Sequence, residues 1–159
     1  GSACARLLAR TTEELHLVSP EAAKLLILKK SILSESPGVK LVLSSYADSD
    51  DSIGDMDMIV TATSGAGKKI LDITRVKPGC VIADVARPLD LSAEDVAKRP
   101  DVLVIESGEI SLPGKVQMKS IGFEDRNVVY ACLAETIVLA LEGRFENFTL
   151  GRNLEWNTA

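Results

Sequence analysis

Short apolar runs alternate with helix-like stretches almost from one end of this chain to the other, at roughly twenty-residue spacing, and that is the sequence form of a βαβ array. Strand-like runs fall at 15–18, 39–43, 56–61, 80–85 and 102–105. They are nearly continuous in apolar residues rather than alternating with polar ones, as expected of strands buried on both faces. The expected architecture is therefore α/β, a doubly wound parallel sheet of the Rossmann-like kind, and 159 residues are enough for one such domain.

The connecting segments carry helix signals of different strength. Residues 2–10 read as a helix. Ser19 followed by Pro20 predicts an N-cap and a first helical residue, with the helix running to about Leu33. Leu25, Leu26, Ile27 and Leu28 make it apolar nearly all round, which predicts deep burial. The acidic stretch 47–55 reads as a short helix or a solvated loop, and 68–79 as an amphipathic turn or two. A further helix is expected from Leu91 to Arg99, capped by Ser92. Beyond Gly108 the pattern weakens into a loop; a strong helix is then expected from about Asp125 to Leu141, stopped by Gly143, with a polar and aromatic tail.

Composition excludes several functions. A net charge of −5 offers no broad basic field for a nucleic-acid backbone or an anionic membrane. The longest apolar run, Val128 to Leu141, is too short for a span and is interrupted by Glu135. No ordered targeting segment opens the chain, and Cys4, Cys80 and Cys132 are odd in number and widely spaced, so a cytoplasmic location without disulfides is expected. The lone histidine, His16, leaves no His-rich metal site, and a Ser-His-Asp triad could use only that residue as base.

Open α/β sheets bind ligands at the carboxyl ends of their strands. A dinucleotide-binding sheet would add a G-x-G-x-x-G turn after its first strand, with the pyrophosphate on the next helix. Both are missing here, so the expected domain over 1–159 is a truncated NAD(P)-binding one lacking its first strand and glycine loop, with 125–159 as its terminal helix and tail. Gly1 reads either as the last glycine of such a turn or as a vector-derived remnant. The GAGKK run at 65–69 lacks the spacing of a phosphate-binding P-loop. At the end of the second expected strand of such a fold, Ser19 in place of an acidic residue favours NADP over NAD, although capping alone also accounts for a serine. Thr61, Ala62, Thr63 and Ser64 are small enough for a cofactor to approach the backbone, or simply suit a turn. Asp84 either faces the ligand crevice with Val85 or caps the following turn, and Gly108 follows the last strand.

Cys132 falls, by spacing, on an apolar helical stripe with Val128, Val129, Leu133, Thr136 and Ala140, which suits an inert core thiol. Glu135, one turn on, is unusual on such a stripe unless it has a partner or a task. The segment YACLAETIVLALEGRFENFTLGRN, residues 130–153, resembles the "ACFAE…E…NFSWGRN" segment of aldehyde-forming long-chain acyl-(acyl-carrier-protein) reductases. Relatives of that family are often described as amino-acid or shikimate-type dehydrogenases. More loosely, Gly1-Ser2-Ala3 and VIADVARPLD at 81–90 are similar to other parts of the family's cofactor domain.

The resemblance implies that Cys132 attacks an acyl thioester carried by acyl carrier protein or CoA, that NADPH reduces the enzyme thioester to an aldehyde, and that Glu135 orients or transfers a proton. It also implies a missing amino-terminal substrate domain. An acidic carrier would dock there or on Lys115, Lys119, Arg126 or Arg144. Two other readings compete: a shikimate- or amino-acid-type dehydrogenase with direct hydride transfer, in which Cys132 is only core, and a non-catalytic nucleotide-binding or assembly module that pairs through a sheet edge, possible as a homo-oligomer.

Overall fold

A computed structural model describes residues 1–45, 51–63, 70–114 and 127–146. The fold is α/β with parallel strands, as the apolar runs require, and it falls into two compact units, Gly1–Ile105 and Glu106–Ala159.

The first unit opens with α1 (Ser2–Leu8), followed by β1 (Glu14–Val18), α2 (Ala22–Glu35) and β2 (Lys40–Ser44). β1 and β2 are parallel, with Leu15 opposite Leu41 and Leu17 opposite Leu43. These leucines share one face because side chains alternate along a strand. Ala5 and Ala9 at α1, Leu25 and Ile32 of α2, Leu17 and Val39 form one buried cluster against it. An ion pair between Arg6 and Glu35, 3.0 Å, ties the two helices on the solvent side.

β3 (Met58–Thr61), β4 (Val81–Asp84) and β5 (Leu103–Glu106) form a second sheet in that order, and β3 runs parallel to β4. Ile59 and Ile82 are register neighbours and face a second cluster made by Ile53, Leu71, Ile73, Val76, Cys80, Leu91 and Val102. Short 3₁₀ turns at Asp51–Asp55 and Ile73–Arg75 supply Ile53 and Ile73. Arg99 holds the second turn in place by donating to the carbonyls of Ile73, Thr74 and Val76. Gly79 adopts a positive φ of 79°, which lets its N–H reach the Asp101 carbonyl at 2.9 Å and starts β4. The helix α3 (Ala93–Ala97) begins at the expected cap, with the Ser92 hydroxyl accepting from the Asp95 N–H at 3.1 Å.

The second unit was misread in part from sequence. β6 (Glu109–Ser111) and β7 (Val128–Tyr130) pair antiparallel where a loop and the start of a helix were expected. Asn127 takes a positive φ of 52°, which breaks any helix there, and the β-branched pair Val128-Val129 then favours a strand. Consequently α4 runs from Ala131 to Leu141 rather than from Asp125. Gly143, at φ 68°, closes α4: its N–H reaches Ala140 and the Arg144 N–H reaches Leu139, satisfying carbonyls that a helix end leaves open.

Two expectations about α2 are also corrected. Ser19 is not its N-cap; that position is Glu21, and the Ser19 hydroxyl instead accepts from the Glu21 N–H in a turn ahead of the helix. Nor is α2 buried all round, since Leu26 and Ile27 are exposed. Where a single sheet was expected from the strand pattern, the described residues place the parallel strands in separate ladders, β1 paired with β2 and β3 with β4.

Candidate functional site

The most constructed polar region lies at the carboxyl ends of β3 and β4. Thr61 and Asp84 are register partners and so stand side by side on the face that also carries Ile59 and Ile82. Asp84 is 1% exposed, and such a carboxylate survives burial only if its oxygens are occupied. Oδ1 accepts from the Ala86 N–H at 3.1 Å, while Oδ2 accepts from the N–H groups of Asp90 and Leu91 at 2.8 and 3.0 Å. One side chain therefore shapes the whole loop after β4, which includes a cis Arg87-Pro88 bond. The loop in turn presents the Asp90 carboxylate to Thr63, which donates to it from both its N–H, at 3.1 Å, and its hydroxyl.

Thr61 Oγ1 is buried, with no hydrogen-bond partner among the described residues. Directly beyond it, Ala62 is met by Gly1, whose missing Cβ would lie 3.7 Å from that of Ala62. A start of α1 placed against the end of β3 is the arrangement that the small residues Thr61-Ala62-Thr63 permit. Val85 continues the ladder by donating to the Thr61 carbonyl at 2.9 Å. Gly1, Thr61, Ala62, Thr63, Asp84 and Val85 are thus brought into one unit, with Ser19 at the carboxyl end of β1 in the same unit. Ser64, Lys115, Lys119 and Arg126 lie outside the described residues. Asp90 was missed by the sequence reading; its distance from Asp84 follows no motif, and only the loop geometry shows its role.

His16 and Glu14 form a separate polar group on β1. His16 Nε2 is 2.8 Å from Glu14 Oε1, and its Nδ1 is 2.9 Å from the Ser52 hydroxyl. Hydrogen bonds from Lys40 and then from His16 hold the Glu14 carboxyl below its usual range. His16 thus stands between a serine hydroxyl and a carboxylate, with glutamate where a Ser-His-Asp triad has aspartate, and no group of three metal-ligating residues occurs among the described residues. A shallow depression lined by Ala9, Thr12, Glu35 and Val39 lies at the opposite, amino ends of β1 and β2.

The remaining expected residues belong to the second unit. Gly108, at φ 93°, accepts through its carbonyl from the Ala131 N–H at 2.8 Å, and so anchors the first residue of α4. Cys132 is the second residue of that helix and is exposed, as is Glu135. The core-facing stripe expected for Cys132, Thr136 and Ala140 is corrected on this point: all three are exposed. Arg144 pairs with Glu146. Cys80 is fully buried, and burial pushes its thiol above the ordinary value. A water-soluble disulfide reagent is therefore expected to modify Cys132 in the native chain and Cys80 only on unfolding; prompt native labelling of Cys80, read by peptide mass spectrometry, would contradict this placement.

No helix among the described residues is long and apolar enough to cross a membrane. No family model matches the chain. It is similar to the aminotransferase PigE of Serratia sp. (strain ATCC 39006), 35% identical over 159 residues. That similarity covers 97% of this chain but 18% of the relative, so the chain spans about a fifth of that protein's length. The finding corrects the reading of the chain as a thioester reductase, with its dehydrogenase and assembly alternatives: the relative that matches 97% of this chain carries the name of an amino-transferring enzyme, not of an oxidoreductase.

Proposed function

We propose that this chain is an α/β part of a larger enzyme that transfers amino groups, and that the transfer centre itself lies in another part of that enzyme. The observation that supports this reading is the 35% identity along nearly the whole chain to about a fifth of an aminotransferase. Amino transfer of the usual kind employs pyridoxal phosphate, which supplies an electron sink and needs a lysine amine and a carboxylate partner in a water-excluding pocket. The described lysines do not fit that group. Lys24, Lys40, Lys77 and Lys98 each pair with a surface carboxylate, and neither Lys29 nor Lys30 is buried.

A second ligand is favoured by one observation. Thr61 Oγ1, buried and without a described partner, sits where the start of α1 meets the end of β3, the position at which Rossmann-like sheets receive a nucleotide. NADP is the nucleotide that Ser19 favours, with Thr61, Ala62 and Thr63 against its sugar and ring. Asp84 would act only through the loop it holds, because its oxygens are already engaged.

One titration series tests both statements. Pyridoxal phosphate followed by borohydride is expected to leave no covalent pyridoxyl label on this chain at stoichiometric reagent, whereas NADP is expected to give saturable heat that Thr61→Val weakens about tenfold, the loss of roughly one buried hydrogen bond. A stoichiometric label on one lysine would overturn the first statement, and NADP heat no greater than buffer dilution would overturn the second.

A further inference from the structure

Glu14 and His16, two residues apart on β1, share the strand face opposite Leu15 and Leu17, which pack into the first cluster. Ser52 meets the same histidine from 36 residues away, carried by the 3₁₀ turn Asp51–Asp55. Ile53, buried in the second cluster, and the Asp51–Arg75 ion pair at 3.5 Å hold that turn. The His16 side chain is 12% exposed and Ser52 is half-buried, so the pair is sheltered without being sealed. A histidine on a strand face is satisfied by one partner; this ring is held at both nitrogens, which fixes its plane as well as its position.

The direction of each hydrogen bond follows from Glu14. Lys40, whose ammonium donates to Oε2 at 2.9 Å, favours the ionised carboxyl, and an ionised carboxylate can only accept. His16 Nε2 therefore donates to Oε1 at 2.8 Å. In the neutral ring Nδ1 keeps its lone pair and accepts from the Ser52 hydroxyl at 2.9 Å. Hydroxyl, base and orienting carboxylate thus stand in a row, each link within the reach of about 2.6–3.2 Å that proton transfer needs. The ring is reversed relative to a serine protease triad, with Nδ1 toward the serine, but either imidazole nitrogen can take the proton.

We infer that Ser52 is a nucleophile, with His16 as its general base and Glu14 as the positioning residue, that cleaves small uncharged carboxylic esters, an activity separate from amino transfer. Ser52 Oγ bonds to the ester carbonyl carbon while its proton passes to His16 Nδ1. The C–O bond to the alcohol then breaks, and the alcohol leaves with that proton. Water adds to the acyl-serine in the same way, giving its proton to Nδ1; the Ser52 oxygen takes the proton back as the carboxylic acid departs. Val18, 41% exposed on the His16 face, and Val42, the register partner of His16, offer the acyl group apolar contact. Glu14 and the exposed Asp51 disfavour an anionic substrate such as a phosphate ester.

The test treats the native chain with an uncharged fluorophosphonate, whose phosphorus an activated serine attacks with loss of fluoride, and maps the label by peptide mass spectrometry. Ser52 is expected to label stoichiometrically and at least about a hundredfold faster than in the urea-unfolded chain, the effect of a positioned base. His16→Gln should lose that advantage. Glu14→Gln, which keeps an acceptor for Nε2 but no charge, should lower the maximal labelling rate at least about tenfold and leave the half-saturating probe concentration within about twofold. Hydrolysis of p-nitrophenyl acetate should fall in parallel and drop to the solvent rate in Ser52→Ala. Native labelling of Ser52 no faster than in the unfolded chain would overturn the inference, and that comparison needs no variant to fold. A His16→Gln chain that melts like the parent and labels Ser52 at the parent rate would overturn it too, because the histidine would then be structural alone.

Discussion

Replacing Asp84 with alanine is expected to destabilise the first unit by about 3 kcal/mol or more, because three loop N–H groups lose their acceptor and each unsatisfied buried amide costs about 1–3 kcal/mol. For a chain of this size that lowers the melting temperature by roughly 6–12 °C. Asp84→Asn keeps one oxygen for the Asp90 and Leu91 N–H groups but turns a donor toward Ala86, so it should cost about half as much. The loss would reach beyond the loop, since Asp90 holds Thr63 only while the loop keeps its shape. Urea denaturation of both variants measures these costs. An alanine variant within about 1 kcal/mol of the parent chain would show that water serves the three amides equally well.

Asp84 also shows how far the sequence could be read. An aspartate ending an apolar strand was open to two readings, ligand-facing or turn-capping, and only the loop's return at residues 90 and 91 shows where its oxygens go. The strands from β1 to β5 were legible because they leave nearly continuous apolar runs. Their division into separate ladders was not, since pairing depends on neighbours that a run does not name. Helix ends were misplaced wherever a single residue decided them. The positive φ of Asn127 places the start of α4 at Ala131, and Cys132, expected on a core stripe, is exposed in its first turn. Thr61 was chosen for its small size, whereas its buried hydroxyl without a described partner is a property of packing. The resemblance in residues 130–153 pointed to thioester reduction, and the similarity of 97% of this chain to part of an aminotransferase overturned it.

Truncating Ile82 to alanine should cost about 2–5 kcal/mol, the range for a fully buried isoleucine at the centre of a cluster that relaxes only partly around the cavity. Ile32, 1% exposed in the other cluster, should cost a similar amount on truncation, whereas Ile27→Ala, at a site 70% exposed, should stay within about 0.5 kcal/mol. Ile32 and Ile82 share no cluster, and β1-β2 and β3-β4-β5 share no described ladder. Their effects should therefore add to within about 0.5 kcal/mol, and each should act first on its own half. Ile82→Ala is expected to speed exchange of the β3 and β4 amides more than those of β1 and β2, and Ile32→Ala to do the reverse. Identical exchange patterns for the two variants would mean that the clusters are coupled without a shared ladder.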